Sequence, residues 1–347
     1  MRSFFVVKRF LRVFFILTPI VLMILFLIFI NKEDGSVSFA KFSYPIHMDL
    51  IKGYKDFKKN GRKLHMNPIN PHPFQYIHFQ SHCDFISNES PFLLILVKSA
   101  ANNFHLRIAI RETWGSTHAP NVKIVFLLAY KAELQADVDA EVAIHGDIVQ
   151  ESFQDAYRNN TYKTIMGFNW AVQYCDRATH IVFVDDDHYL NVKNTLDYIE
   201  SLDQSNDNDL MIGHMLPRSS PMRSKFSKWQ VTFKEYPFDR WPPYLAGAVY
   251  LVSKQVADKL VFAFPYVKYL GIDDSYLGIV AHKIGVTVKH DDRFVPPPYV
   301  LYTNPGQIVY GEFKTKTDFQ TVQHILSYSK AVKMCAFSWK CQFTFLI

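Results

Sequence analysis

From Phe92 onward the chain alternates between two textures. Short unbroken apolar runs, FLLILV (92–97), VKIVFLL (122–128) and HIVFV (180–184), have the length of strands covered on both faces. Between them, apolar side chains recur at helical spacing. Leu106 and Ile110 pair in this way within 103–114, and residues 131–144 read as a surface helix. Ile165, Phe168, Val172 and Cys175 share one face of 161–175. DIVQESF (147–153) fits a further strand. Strand, helix, strand, helix in this order predicts an α/β domain with a parallel sheet and helices on its faces.

The pattern differs before Phe92. Residues 13–30 form a run of 18 without a charge, close to the minimum that spans a bilayer. Arg2, Lys8, Arg9 and Arg12 precede it, whereas Lys32, Glu33 and Asp34 follow. The positive-inside rule therefore leaves residues 1–12 in the cytoplasm and sends everything after the run to the lumen or outside. The run is too long for the apolar part of a cleaved signal peptide, and no small-residue cleavage site follows closely. An uncleaved signal anchor over 13–30 is the expectation. Residues 31–90 show no sustained periodicity. Their basic cluster (Lys52, Lys55, Lys58, Lys59, Arg62, Lys63) and the segment NPINPHP at 67–73 predict an extended stem. The luminal domain is then 91–347.

Composition changes this picture little. The chain is 49% hydrophobic, which excludes a disordered protein. A net charge of +6 is modest, and much of the basic excess lies near the N-terminus, so nucleic acid is not an expected partner. The four cysteines, Cys83, Cys175, Cys335 and Cys341, all follow the anchor, where disulfides can form; three connectivities remain open. For Cys175, a bridge and a buried free thiol are equally open. Asn88 and Asn159 begin N-glycosylation sequons, in keeping with a luminal domain.

The candidate chemistry begins at IVFVDDDHYL (181–190). Asp185, Asp186 and Asp187 follow a buried strand at once, although adjacent carboxylates repel one another. In open α/β sheets the C-terminal edge of the strands is where ligands bind. Hard oxygen ligands there suit magnesium or manganese carrying a diphosphate; a solvated turn is the plainer reading. A second acidic pair, Asp273 and Asp274, opens a predicted helix. Asp273 reads as its N-cap and Asp274 as a first-turn residue, yet a carboxylate fixed at a helix start can also act as a general base. Between the pairs lies an aromatic stretch with Trp229, Tyr236, Trp241 and Tyr244. Their flat faces suit sugar rings, and ordinary core packing is the alternative. Gly247, between Ala246 and Ala248, permits a close backbone approach.

Several segments occur in an order that resembles the β1,3-glycosyltransferase family. They are RIAIRETWG (107–115), DIVQESFQDAYRNNTYKT (147–164), FVDDDHYL (183–190), WPPYLAGAVYLVS (241–253) and DDSYLGIVAHKIGV (273–286). The likeness covers roughly residues 90–315 and is nearest to the brainiac-type enzymes that extend glycosphingolipids. It implies a GT-A type, Rossmann-like single luminal domain behind an N-terminal transmembrane helix, in a type II Golgi membrane protein. It also implies an inverting transferase that takes UDP-GlcNAc or UDP-Gal, uses Mn2+, and extends a glycolipid or glycoprotein acceptor glycan. A homodimer is compatible with this reading.

Carried onto this chain, the resemblance makes Asp187, with Asp185, the metal ligands. Asp185 and Asp186 hold the donor, and Arg107 and Arg111 stand near the donor pocket, with buried ion pairs as their alternative. Asp274 becomes the base. Asp273, where relatives have Glu, joins Trp229, Trp241 and Tyr244 on the acceptor side. Two departures stand out. Leu245-Ala246-Gly247-Ala248 replaces a Cys/Ser-Gly-Gly segment, and Gly311 stands where relatives carry a late metal-binding His. His290, His282 or water are the expected replacements. Two other classes compete: a non-catalytic chaperone or scaffold of the same fold, and a membrane-anchored sugar-binding protein needing neither nucleotide nor metal.

Overall fold

In the computed structural model, which describes residues 17–23, 35–62, 64–81, 83–86, 90–116, 119–202, 209–295 and 306–336, the apolar runs pair as strands side by side. The described strands are β1 (Tyr76–His78), β2 (Leu93–Lys98), β3 (Val122–Tyr130), β4 (Ile148–Gln154) and β5 (His180–Asp185), then β6 (His188–Leu190), β7 (Met211–Leu216), β8 (Tyr244–Ser253), β9 (Lys289–His290) and β10 (Val309–Gly311). The helices are α1 (Leu50–Asn60), α2 (Phe104–Glu112), α3 (Gln135–His145), α4 (Asn160–Tyr174), α5 (Val192–Glu200), α6 (Lys254–Ala263), α7 (Asp273–Ile284) and α8 (Lys316–Ala336).

One sheet runs in the order β1-β4-β3-β2-β5-β8-β7-β9, and β6 and β10 pair apart from it. The block β4-β3-β2-β5 is parallel, as the alternation of strands and helices requires. Beyond β5 the strand direction changes. β8 lies antiparallel to β5, and β7 antiparallel to β8, so the sheet is mixed. An antiparallel neighbour needs no helical crossover to reach its place in the sheet.

β2 is buried along its whole length because both faces are covered. Leu94 and Leu96 join the core under α4, α6 and α7, while Leu93, Ile95 and Val97 join the core on the other face with Ala109 and Ile110 of α2. In this central position the register matters. Lys98, the last residue of β2, lies directly beside Asp185, the last residue of β5.

The stem expectation is corrected. Residues 35–62 and 64–81 do not form an extended spacer but pack on the domain. Leu50 and Gly53 of α1 are buried, with Tyr44 and Asn70. The Asn70 side chain donates to the Tyr276 hydroxyl at 2.9 Å, and β1 adds an antiparallel strand to β4. Lys52, Lys55, Lys58 and Lys59 fall on the outer side of α1, which is why the segment reads as solvated. Asp49 caps α1 through Lys52 N, and Gly61, at φ 63°, ends it.

Most of the 13–30 run lies outside the described residues. Residues 17–23 are helical and exposed, and among the described residues no helix is long and apolar enough to cross a membrane. Cys83 is bridged to Cys175 across a separation of 92 residues, which resolves the choice at Cys175. Cys341 and Asn88 also fall outside the described residues. Closing so long a loop constrains the unfolded chain. The double variant C83S/C175S is therefore expected to lose about 4 kcal/mol of unfolding free energy in urea. An unchanged free energy would show that the bridge adds nothing beyond the packing around it.

Candidate functional site

The C-terminal ends of β2 and β5 open on a cavity of about 1020 Å³. Its floor is Lys98, Ser99, Asp185, Asp186 and Asp187; Gly247 of β8 and the start of α7 close one side. Both acidic pairs singled out from the sequence thus meet in one space. Lys98 joins them. Its ammonium lies 3.0 Å from Asp185 Oδ1 and 2.9 Å from Asp273 Oδ2, and donates to the Gly247 carbonyl at 3.1 Å. Burial alone would lower its pKa, but Asp185 and Asp273 outweigh burial and raise it well above the usual lysine range.

The three aspartates divide the work. Asp186 is turned inward: Oδ2 accepts from Ser99 Oγ at 2.6 Å and Asn103 Nδ2 at 2.9 Å, which ties the β5 turn to the start of α2. Asp187 is half-exposed, and its Oδ1 lies 2.6 Å from His188 Nδ1. Burial works against its charge, yet His188 outweighs burial and holds the carboxyl below the usual range. Asp185 is pushed up to about 6 by burial, with Lys98 and His188 opposing. One donor atom each from Asp185, Asp187 and His188 lie within 4.8 Å of one another. Two carboxylate oxygens and an imidazole nitrogen form a donor set able to hold a divalent metal ion.

On the facing side α7 begins with Asp273 and Asp274. The cap expectation is corrected: Ile272 holds the cap position, and Asp273 makes no capping bond but turns to Lys98. The two carboxyls differ sharply. Burial disfavours charge on both. Lys98 offsets it at Asp273, which stays below the usual range. At Asp274, burial and then the Asp273 charge push the pKa up to about 7. Its Oδ1 accepts from Ser275 N at 2.6 Å and Ser275 Oγ at 3.2 Å. A carboxylate with a pKa near neutrality, held by its backbone at a cavity wall, can accept a proton at physiological pH.

Comparison with known proteins agrees with this geometry. The sequence pattern of the family described as Galactosyltransferase matches residues 105–292. The chain belongs to that family. It is 42% identical to the beta-1,3-galactosyltransferase brn of Drosophila melanogaster over 212 residues, 60% of this chain and 65% of the fly protein. It is 31% identical to lactosylceramide 1,3-N-acetyl-beta-D-glucosaminyltransferase of Rattus norvegicus over 309 residues, 86% of this chain and 78% of the rat protein. The solved galactosyltransferase LgtC aligns at 12% identity and a TM-score of 0.34, covering 67% of this chain and 96% of that one, a likeness too loose to bear on function.

Not every residue assigned from the sequence reaches the cavity of this galactosyltransferase-family chain. Arg107 and Arg111 do not line it. Arg107 is fully buried, bound to Glu141 at 2.6 Å, and donates to Ser99 Oγ and the Ala100 carbonyl. Arg111 spans Glu141 and Asp147 at 2.7 and 2.8 Å. Arg107 braces the Ser99–Ala101 turn beside the floor, and Arg111 shares its carboxylate partner Glu141. Trp241 and Tyr244 are likewise corrected to core residues: Trp241 packs on Tyr236 at 4.0 Å between ring centroids, and Tyr244 is buried at the start of β8. Trp229 does stand at the rim, half-exposed, with the Lys228 ammonium over its ring. Asn159 is half-buried before α4, its side-chain amide donating to the Gln154 carbonyl.

Neither expected histidine substitute is at the site. His282 packs against Phe39 and Phe42, and His290 contacts Asp292 and Met215 N. The lining histidines are His188 and His214. Sequence reading also missed Lys98, Asn103, Asp155 and Lys163. Lys98 left a signal, a charge within an otherwise apolar strand. Asn103 and Lys163 depend on α2 and α4 folding back to the sheet edge, as when Lys163 Nζ donates to the Ser99 carbonyl at 2.6 Å, whereas Asp155 directly follows β4.

Proposed function

We propose that this chain is an inverting, UDP-sugar-dependent β1,3-glycosyltransferase of GT-A type, anchored in the Golgi membrane with its domain in the lumen. The observation that supports it most is the meeting, in one cavity, of a cation-competent cluster with a separate carboxylate poised near neutrality. The cavity volume of about 1020 Å³ is at the upper end for small-molecule sites, enough for a nucleotide-sugar with part of an acceptor.

Asp185 and Asp187 would hold the manganese ion. When bound, the ion supplies positive charge against the diphosphate that leaves with the uridine. The chain's own residues do the rest. Lys98 keeps Asp273 ionised and offsets part of the burial penalty at Asp185. Trp229 at the rim offers a flat face to the acceptor sugar. Asp274 takes the proton of the acceptor 3-hydroxyl as that oxygen bonds to the anomeric carbon and the bond to UDP breaks. A single displacement turns an α-linked donor into a β-linkage, and no second carboxylate nucleophile is needed. The printed names of relatives include galactosyl-, N-acetylglucosaminyl- and N-acetylgalactosaminyltransferases, so the donor is chosen by experiment.

The test is UDP release by the full chain in detergent, from UDP-GlcNAc, UDP-Gal and UDP-GalNAc, with a mannosyl-glucosyl lipid acceptor. One donor is expected to give acceptor-dependent release that chelation abolishes. Asp187→Ala is expected to weaken both release and manganese-dependent UDP binding by about tenfold or more. Release untouched by chelation would remove the cation from this reading. Absence of both release and UDP binding would remove transfer itself.

A further inference from the structure

His188 and Gly311 face one another across the β6–β10 pair. A Cβ placed on Gly311 would lie 2.4 Å from His188 Cδ2 and 2.8 Å from Cγ and Nε2. Gly311 does not have a positive φ, so backbone conformation does not demand glycine there. Space demands it, because the imidazole fills the volume that a side chain at 311 would take. The ring is also fixed on the acidic side. Nδ1 lies 2.6 Å from Asp187 Oδ1, and the Asp187 carbonyl accepts from Phe313 N at 2.7 Å, which holds the end of β10 against the turn.

One ligand atom each of Asp185, Asp187 and His188 lies within 4.8 Å of the others, so the imidazole shares its space with both carboxylates. We propose that His188 is the third protein ligand of the cation site and that Gly311 makes room for its ring. The nitrogen comes from β6, whereas the family resemblance leads one to seek it at position 311 of β10. Gly311 is therefore half of an exchange between facing strands, and the apparent loss of a ligand is a relocation. The inference rests on the reading of the site as a cation-assisted transferase.

The experiment is manganese titration of the full chain in detergent with UDP present, followed by pulsed electron paramagnetic resonance of the loaded protein. The wild type is expected to show coupling of manganese to a directly bound nitrogen. His188→Val is expected to lose that coupling and to bind manganese about tenfold or more weakly, with its melting temperature recorded alongside. Gly311→Ala, which pushes on the ring while leaving every donor in place, is expected to weaken manganese in the same direction. The paired variant H188V/G311H is expected to regain the nitrogen coupling from the other strand. Manganese bound tightly without nitrogen coupling would overturn the role of His188 and leave the transferase reading standing. No manganese binding by the wild type would overturn both.

Discussion

Asp274→Asn is expected to lower the transfer rate by about 10²- to 10⁴-fold while leaving manganese-dependent UDP binding near its wild-type strength. The change keeps the shape of the side chain and its bond from Ser275 N but removes the acceptor for the hydroxyl proton. In the wild type the rate should climb as pH rises through about 7, where Asp274 becomes ionised. Stability should move the other way. The folded-state pKa is raised above the ordinary aspartate value of 3.8, so between about 4 and 7 the folded chain holds a proton that the unfolded chain has released. The Asp274 contribution to stability is therefore lost as pH rises through that window. Asn carries no such penalty, so the variant should be inactive yet gain in stability relative to wild type above pH 7. Urea unfolding at pH 5 and pH 8 with turnover at each pH checks both halves. A variant that kept most of its turnover would show that another group takes the proton.

The second large effect is expected at Lys98. Lys98→Met preserves length and apolar contacts but leaves Asp185 and Asp273 facing each other without their shared cation. Breaking a buried ion pair from one side costs about 3–5 kcal/mol. The lower end applies here, because the Asp185 side chain is 38% exposed and water screens part of its charge. The loss should depend on pH. With Lys98 present, Asp273 is held below its ordinary value, a contribution complete above pH 4 and lost only in stronger acid. Without Lys98, burial would raise Asp273 as it raises Asp274, so both carboxylates would carry an uncompensated charge at pH 8 and shed it in acid. The gap between wild type and Lys98→Met should be wider at pH 8 than at pH 5. Equal gaps, or a gap below about 1 kcal/mol, would mean that Lys98 is not the counter-charge of the site.

Local pattern was sufficient wherever one element answers to one physical rule. The runs at 92–97, 122–128 and 180–184 became β2, β3 and β5 because a strand covered on both faces must be apolar throughout. The helices of the parallel block followed from their period, and the acidic turn after β5 from the place of ligands in such sheets. The segment before Phe92 was misread for a corresponding reason. α1 buries little of itself, so eleven residues rich in lysine look like a solvated spacer although Leu50 and Gly53 are anchored against the domain.

What the sequence by itself determined is therefore the family, the α/β class and the identity of the two acidic pairs, because each is written in adjacent residues. The tertiary structure decided which charges meet. Lys98 and Asp273 are 175 positions apart, and only the register of β2 beside β5, with α7 crossing the edge, makes them one ion pair. The same holds for the aromatic residues, where core and rim differ only by which face a neighbouring element covers. It holds for Gly311 as well. As a letter in the chain it is a missing ligand; across the strand pair it is the space that His188 fills. Burial and the distances between distant residues set the charge of each group, and neither is carried by local pattern.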